Sequence, residues 1–275
     1  VKRKSKALWT EKNAGNKVHF RAFDNAFEEA EYIAGDIKRK KRELVNDYRD
    51  CAVLYRTNAQ SRLLEESFIA HNIPYNVVGG VNFYARKEIK DILAYLKTID
   101  NGKDDLAVKR IINVPRRGIG ATSITKVQDY ADQNELSFFE ALLQVDEIPG
   151  LGKSKAADKL RDFVTMIRMF RTKLQFGSLE DLITDVIETT GYVRELEESD
   201  EEDANDRIDN IDELITKLVS FEMEQESLGE EATLSAFLEE VALVADIDSV
   251  AKDDNRVLLM TLHSAKGLEF SSVYL

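Results

Sequence analysis

The stretch Arg256–Leu275, RVLLMTLHSAKGLEFSSVYL, decides the fold. Two apolar runs, Val257–Met260 and Val273–Leu275, read as parallel strands buried on both faces. Between them stand Thr261, His263, Ser264, Lys266, Gly267 and Glu269. A hydroxyl, an imidazole, an amine, a glycine and a carboxylate straight after a buried strand lie where open α/β sheets hold ligands. The same residues also suit a helix cap and a solvated turn, so the loop's meaning depends on what lies upstream.

Upstream, Cys51–Tyr55 reads as a second buried strand, Ser61–Ala70 as a helix and Ile73–Val78 as a further strand. Strand, helix, strand with a polar loop at the first strand's C-terminal end is a βαβ unit of an open sheet. Arg56 and Arg62 can hold phosphate oxygens there, and Asn58 can donate to a phosphate or a base. The alternative is that Ser61 caps the helix and the arginines decorate its first turn. Nearer the N-terminus, Val1–Lys17 is a basic, polar connector with a lone Trp9, and Val18–Phe23 alternates like a short strand. Asp24 or Asn25 can cap a helix whose apolar stripe is Ala26, Phe27, Ala30, Ile33, Ala34 and Ile37.

Composition bounds the classes. With 275 residues, 43% hydrophobic and 32% charged, the chain has room for two domains with their own cores. No apolar run approaches the roughly 20 residues of a membrane span, and the N-terminal residues lack a signal peptide's apolar core. The single cysteine, Cys51, excludes an internal disulfide and suits a reducing cytosol. His19, His71 and His263 are far apart and suggest no metal site. A net charge of −13 argues against coating nucleic acid by bulk attraction, though not against a local basic groove. Much of the acid lies between Glu195 and Glu213, an exposed loop and a polar helix face.

After Ile99 the strand signals stop and helical periodicity continues until Val257. Asp100–Lys103 and Asp253–Asn255 read as the two crossings between a sheet domain and a helical insertion, as a hinge requires. Three stripes led by Leu179, Ile208 and Leu234 are core faces. Two glycine turns carry more information. Arg116-Arg117-Gly118-Ile119-Gly120 precedes a helix starting near Thr122, and Gly150-Leu151-Gly152-Lys153 precedes one starting at Ala156. Such turns let a backbone approach closely, and with basic flanks phosphate is the natural guest. Gly152-Lys153-Ser154 imitates the end of a P-loop, but Glu147 occupies the position five earlier where that loop needs glycine.

Together, AVLYRTNAQSRLLEE (Ala52–Glu66) and LLMTLHSAKGLEF (Leu258–Phe270) resemble motifs of superfamily 1 DNA helicases of the PcrA/UvrD type. Tyr75–Asp91 and Asn113–Gly120 resemble two more, in family order across nearly the whole chain. The resemblance implies an α/β, RecA-like partial motor domain, called 2A, from residues 1–98 and 253–275. Into it is inserted a large all-helical domain, 2B, over residues 99–252, so that helix dominates overall. It implies an ATP-dependent 3′–5′ helicase of the bacterial cytoplasm. Gly267 and Glu269 would sit at the nucleotide, with Glu269 accepting from a ribose hydroxyl. Arg56, Asn58, Thr261 and His263 would face single-stranded DNA. Arg116, Arg117, Gly118, Ile119, Gly120, Gly150, Gly152 and Lys153 would face duplex DNA.

ATP and Mg2+ are the implied cofactors of the parent protein. The P-loop lysine, the magnesium-holding Asp-Glu pair and the γ-phosphate arginines have no counterpart in these residues. No catalytic residue is therefore expected here, nor a cofactor bound to this chain alone, nor ATP hydrolysis by it. Implied partners are DNA, the protein's own first motor domain, and repair, replication or transcription proteins. The competing class is a non-catalytic, autoregulatory module that binds duplex DNA or a protein.

Overall fold

A computed structural model describes residues 15–199, 203–249 and 255–275. The expected connector around Trp9, the tip of the acidic loop and the crossing at Asp253–Asp254 lie outside these residues in whole or part. Four strands, β1 (Cys51–Tyr55), β2 (Tyr75–Val77), β3 (Val257–Thr261) and β4 (Ser272–Tyr274), form a parallel sheet in the order β2-β3-β1-β4. The centre of the sheet therefore pairs residues from opposite ends of the chain, with Ala52 opposite Leu258 and Tyr55 opposite Thr261. Helices α1 (Ala26–Arg42) and α2 (Ser61–Ala70) complete this body. Asn25 caps α1 through its side chain, and Ala30, Ile33, Ala34 and Ile37 bury its stripe against Val53, Phe68 and Leu259. Such continuous apolar burial is the dominant stabilising term in the sheet body.

The expected strand at Val18–Phe23 is not formed. Val18 and Phe20 are 96% and 93% exposed, and no ladder pairs them. Alternation alone gives a chain two faces; a strand also needs a partner for its N–H and C=O groups. Only the end of the segment is anchored, where Phe23 packs on Tyr32 and the Arg21 guanidinium lies 4.3 Å from the Tyr32 ring centroid.

The helical body comprises α3 (Lys87–Asp100), α4 (Asp105–Ile111), α5 (Ala121–Asn134), α6 (Phe138–Leu143) and α7 (Lys155–Leu174). It continues through α8 (Leu179–Thr190), α9 (Tyr192–Glu197), α10 (Ala204–Leu228) and α11 (Leu234–Ser249). Ser137, Ser154 and Ser178 cap α6, α7 and α8, each accepting a backbone N–H three residues on. Among the described residues, no helix is long and apolar enough to cross a membrane.

The helical core takes in residues from Phe83 onward. Phe83, Tyr84, Ile92, Tyr95, Leu96 and Ile99 all belong to the helical core, while the sheet core ends at Val77 in this part of the chain. Within Asp100–Lys103, Gly102 lies close to Phe139 and Arg171 of the helical body. Ten residues of α3 are buried, seven of them apolar, and the helix packs on α4, α7, α10 and α11.

A polar seam joins the two bodies along α10. Arg62, 2% exposed, bonds Glu213 at 2.9 Å and Glu66 at 3.3 Å. Arg86 donates to Asn210 at 2.6 Å and to Ser61 at 2.8 Å, and Asn210 donates to Glu88 at 2.6 Å. Buried charges persist only when paired in this way. Arg62 is thus an interbody tie, and its guanidinium is not offered to phosphate as the sequence suggested.

Candidate nucleotide and nucleic-acid interface

The first candidate surface is the C-terminal edge of the sheet. Because β1 and β3 are adjacent and parallel, their exits lie side by side: Leu262 N–H donates to Tyr55 O at 2.9 Å. This brings Arg56 and His263 together, with Arg56 Nη1 3.4 Å from His263 Nδ1. Both side chains are exposed, and Asn58 is half-buried on the short 3₁₀ turn Asn58–Gln60. Gln60 shapes that turn, its Oε1 accepting from the N–H groups of Arg56 and Thr57 at 2.8 and 3.1 Å. Thr261 Oγ1 lies 3.0 Å from Ser264 Oγ and accepts from Ser264 N–H, so its hydroxyl organises the next turn. Four residues distant in sequence thus form one edge: Arg56, Asn58, Thr261 and His263. A cleft of about 440 Å³ opens beside it, lined by Val53, Tyr55, Arg56, Leu64, Leu262 and Leu275.

The turn continues through Ala265 and Leu268 to Gly267, at φ +87°, where a Cβ would meet nothing within 4 Å. Gly267 is therefore a left-handed residue with open space before it, and Glu269 is an exposed carboxylate on the same connection. An open backbone beside an acceptor fits the hydroxyl side of a nucleotide sugar. Gly79 comes close to the same loop, since a Cβ there would lie 3.6 Å from Ser264 Oγ. Among the described residues, no three His, Cys, Asp or Glu side chains are grouped as a metal site.

The second surface is the pair of glycine turns. Gly118 and Gly150 have φ of +68° and +71°, a conformation that side chains resist. In each turn the central apolar residue is the anchor: Ile119 and Leu151 are both 3% exposed. Asn113, the first residue of the Asn113–Gly120 motif but given no role by the sequence, ties the first turn by accepting from Arg117 N–H at 2.9 Å and Ile119 N–H at 3.1 Å. An Asn shortly before a Gly-rich turn is the signal that could have found it. Gly152 is needed for space, because a Cβ would lie 2.6 Å from Asp146 O. Asp146 itself pairs with Arg161 at 2.5 Å.

The two arginines of the first turn part company. Arg116 is exposed, as is Lys153 in the second turn. Arg117 points inward: Nη1 donates to Ile111 O at 2.9 Å and Val114 O at 3.2 Å, Nη2 donates to the Tyr95 hydroxyl, and the guanidinium lies over Tyr95 and Phe163. Both of its terminal nitrogens are therefore engaged by the fold, which directs the guanidinium toward Tyr95 and Phe163. Ile119 is a core side chain with its N–H bonded to Asn113, while Arg116, Gly118 and Gly120 are exposed.

Comparison with known proteins shows the family. The model of the UvrD-like helicase C-terminal domain matches residues 1–275. The chain is 43% identical over 273 residues to the ATP-dependent DNA helicase PcrA of Staphylococcus aureus (strain NCTC 8325 / PS 47), covering 99% of this chain and 37% of that protein. The PcrA of Staphylococcus epidermidis (strain ATCC 12228 / FDA PCI 1200) matches to the same extent. The chain thus spans 37% of the length of these curated relatives. The chain belongs to the UvrD-like helicase C-terminal domain family.

Proposed function

We propose that this chain is the second half of an ATP-dependent DNA helicase motor together with its duplex-gripping insertion. The observation that carries the reading is the pairing of β1 with β3, which sets Arg56 3.4 Å from His263 at the sheet edge. The connection leaving that edge carries Gly267 and Glu269. One loop therefore spans two jobs. Arg56, Asn58, Thr261 and His263 hold the phosphates of a single strand, and Gly267 with Glu269 meets the sugar of ATP. A change at the nucleotide side moves the loop and, with it, the strand contact, which is how 3′–5′ steps would be coupled.

ATP supplies the free energy when bound, and the phosphate-activating groups and Mg2+ belong to the first motor domain of the same protein. These 275 residues by themselves hydrolyse no ATP. The turns at Gly118–Gly120 and Gly150–Gly152, flanked by Arg116 and Lys153, grip duplex backbone without reading sequence. The setting is the bacterial cytoplasm, with repair, replication or transcription proteins as partners.

The test is single-strand affinity. In the intact protein, Arg56→Ala should weaken binding of an oligothymidine about tenfold, consistent with loss of one charge-assisted contact, and lower its salt slope by about 0.7. Unaltered affinity and slope would remove the sheet edge from the DNA path.

A further inference from the structure

The two glycine turns are tied to each other crosswise. Lys126, in the helix that follows the first turn, donates to Gly150 O of the second at 2.8 Å. Lys159, in the helix that follows the second turn, donates to Gly118 O of the first at 3.0 Å. The resemblance extends to shape: both carbonyls belong to the left-handed glycine, both turns bury the next residue, and both ammonium groups occupy the space a side chain would need. A Cβ at Gly118 would lie 2.6 Å from Lys159 Nζ, and one at Gly150 would lie 3.3 Å from Lys126 Nζ.

What these two lysines lack is as informative as what they bond. Acid outnumbers base in this chain by 13 charges, and several lysines are paired with carboxylates: Lys41 with Asp47, Lys173 with Asp185, Lys217 with Glu240. Among the described residues, Lys126 and Lys159 make no ion pair; each is held by a neutral carbonyl instead. An ammonium has three N–H donors, of which the carbonyl takes one. Two donors and a full charge remain, already fixed in position beside a turn. Fixing a flexible lysine in advance removes much of the rotamer entropy that a surface contact ordinarily loses.

We infer that Lys126 and Lys159 are phosphate-binding residues exchanged between the two turns, Lys159 completing the Gly118–Gly120 site and Lys126 the Gly150–Gly152 site. The inference rests on the duplex-binding reading above and adds to it that the turns act as one reciprocal clamp on a phosphodiester backbone. Arg116 and Lys159 serve one phosphate region, Lys153 and Lys126 the other. Removing a lysine from either helix therefore weakens the opposite turn.

The test is binding of a blunt-ended, labelled duplex to the intact protein across a potassium chloride series. Lys126→Met and Lys159→Met should each lower the slope of log affinity against log salt by about 0.9, so that affinity falls about threefold less over a fourfold rise in salt. Lys126→Arg and Lys159→Arg should restore the slope. Crosswise assignment is read from double mutants: Lys159→Met should be non-additive with Arg116→Ala and additive with Lys153→Ala, and Lys126→Met the reverse. Affinity lost with the slope unchanged would reduce the lysines to braces and overturn the proposal, as would the opposite pattern of additivity. If the unmodified protein binds no duplex, the duplex reading falls and takes this proposal with it. If it binds duplex with normal slopes in both methionine variants, this proposal falls alone.

Discussion

Arg117→Met separates two readings of one residue. Methionine keeps an apolar stem near Tyr95 and Phe163 but deletes every donor. Ile111 O, Val114 O and the Tyr95 hydroxyl each lose a charge-assisted partner. A hydrogen bond from a charged group contributes about 1.5–3 kcal/mol, and a buried acceptor left bare costs about 1–3 kcal/mol. Three such losses cannot simply be summed, because Arg117 is half-buried and water can reach part of the gap. Val114 O also keeps the Tyr95 hydroxyl as a donor. We expect a loss of about 2–4 kcal/mol in stability of the helical body. Urea unfolding followed by far-ultraviolet circular dichroism reads the loss as a lower midpoint. Duplex binding at low temperature, where the variant is folded, should keep its salt slope. Arg116→Met should do the opposite, leaving stability within about 0.5 kcal/mol and lowering the slope by about one. The reasoning is refuted if Arg117→Met is as stable as the parent and lowers the salt slope instead.

Three further outcomes follow. Burial, with the nearby Asp91 and Glu195 charges adding to it, pushes the Tyr95 hydroxyl from 10 up to about 12. The folded state then holds its proton more tightly than the unfolded chain, so stability is full below pH 10 and declines between about pH 10 and 12, by about 1.4 kcal/mol per unit; a Tyr95→Phe variant with the same alkaline slope would exclude Tyr95 as its source. Glu213→Ala should destabilise by about 1–3 kcal/mol by leaving buried Arg62 with Glu66 alone, and adding Arg62→Met should cost less than the sum; strict additivity in urea unfolding would dissolve the tie. Glu269→Gln in the intact protein should raise KM for ATP about tenfold, as loss of one charged acceptor predicts, and an unchanged KM would remove Glu269 from the nucleotide.

Much of this was legible in the residues because period and punctuation are local. The stripe from Ala30 to Ile37, the buried run Cys51–Tyr55 and the caps at Ser154 and Ser178 each carry their own physical cause. What was not legible depends on neighbours brought from afar. Val18–Phe23 has a strand's alternation and no strand beside it. Arg116 and Arg117 are chemically identical and adjacent; only the path of the loop over Tyr95 turns one inward. Arg62 opens a helix in a ligand-binding position, yet Glu213, far along the chain, claims it. The apolar residues between Phe83 and Ile99 do not name their partner; that they pack in the helical core is set by contacts with α4, α7, α10 and α11. Lys126 and Lys159 are ordinary helix lysines until the two turns are placed side by side.

The central pairing of Ala52 with Leu258 has a consequence for how the protein is made. Strand β1 leaves the ribosome with its main hydrogen-bonding partner still unsynthesised. At about 5–20 residues per second, the roughly 200 residues between them delay β3 by about 10–40 s. The helical body, whose contacts all lie within that interval, can fold during the wait and bring the two chain ends close. A helical body folded by then would shorten the loop that pairing β1 with β3 has to close, lowering the entropic cost of forming the sheet's centre. Until then Cys51–Tyr55 is an apolar strand with open edges, a segment prone to pairing with other chains.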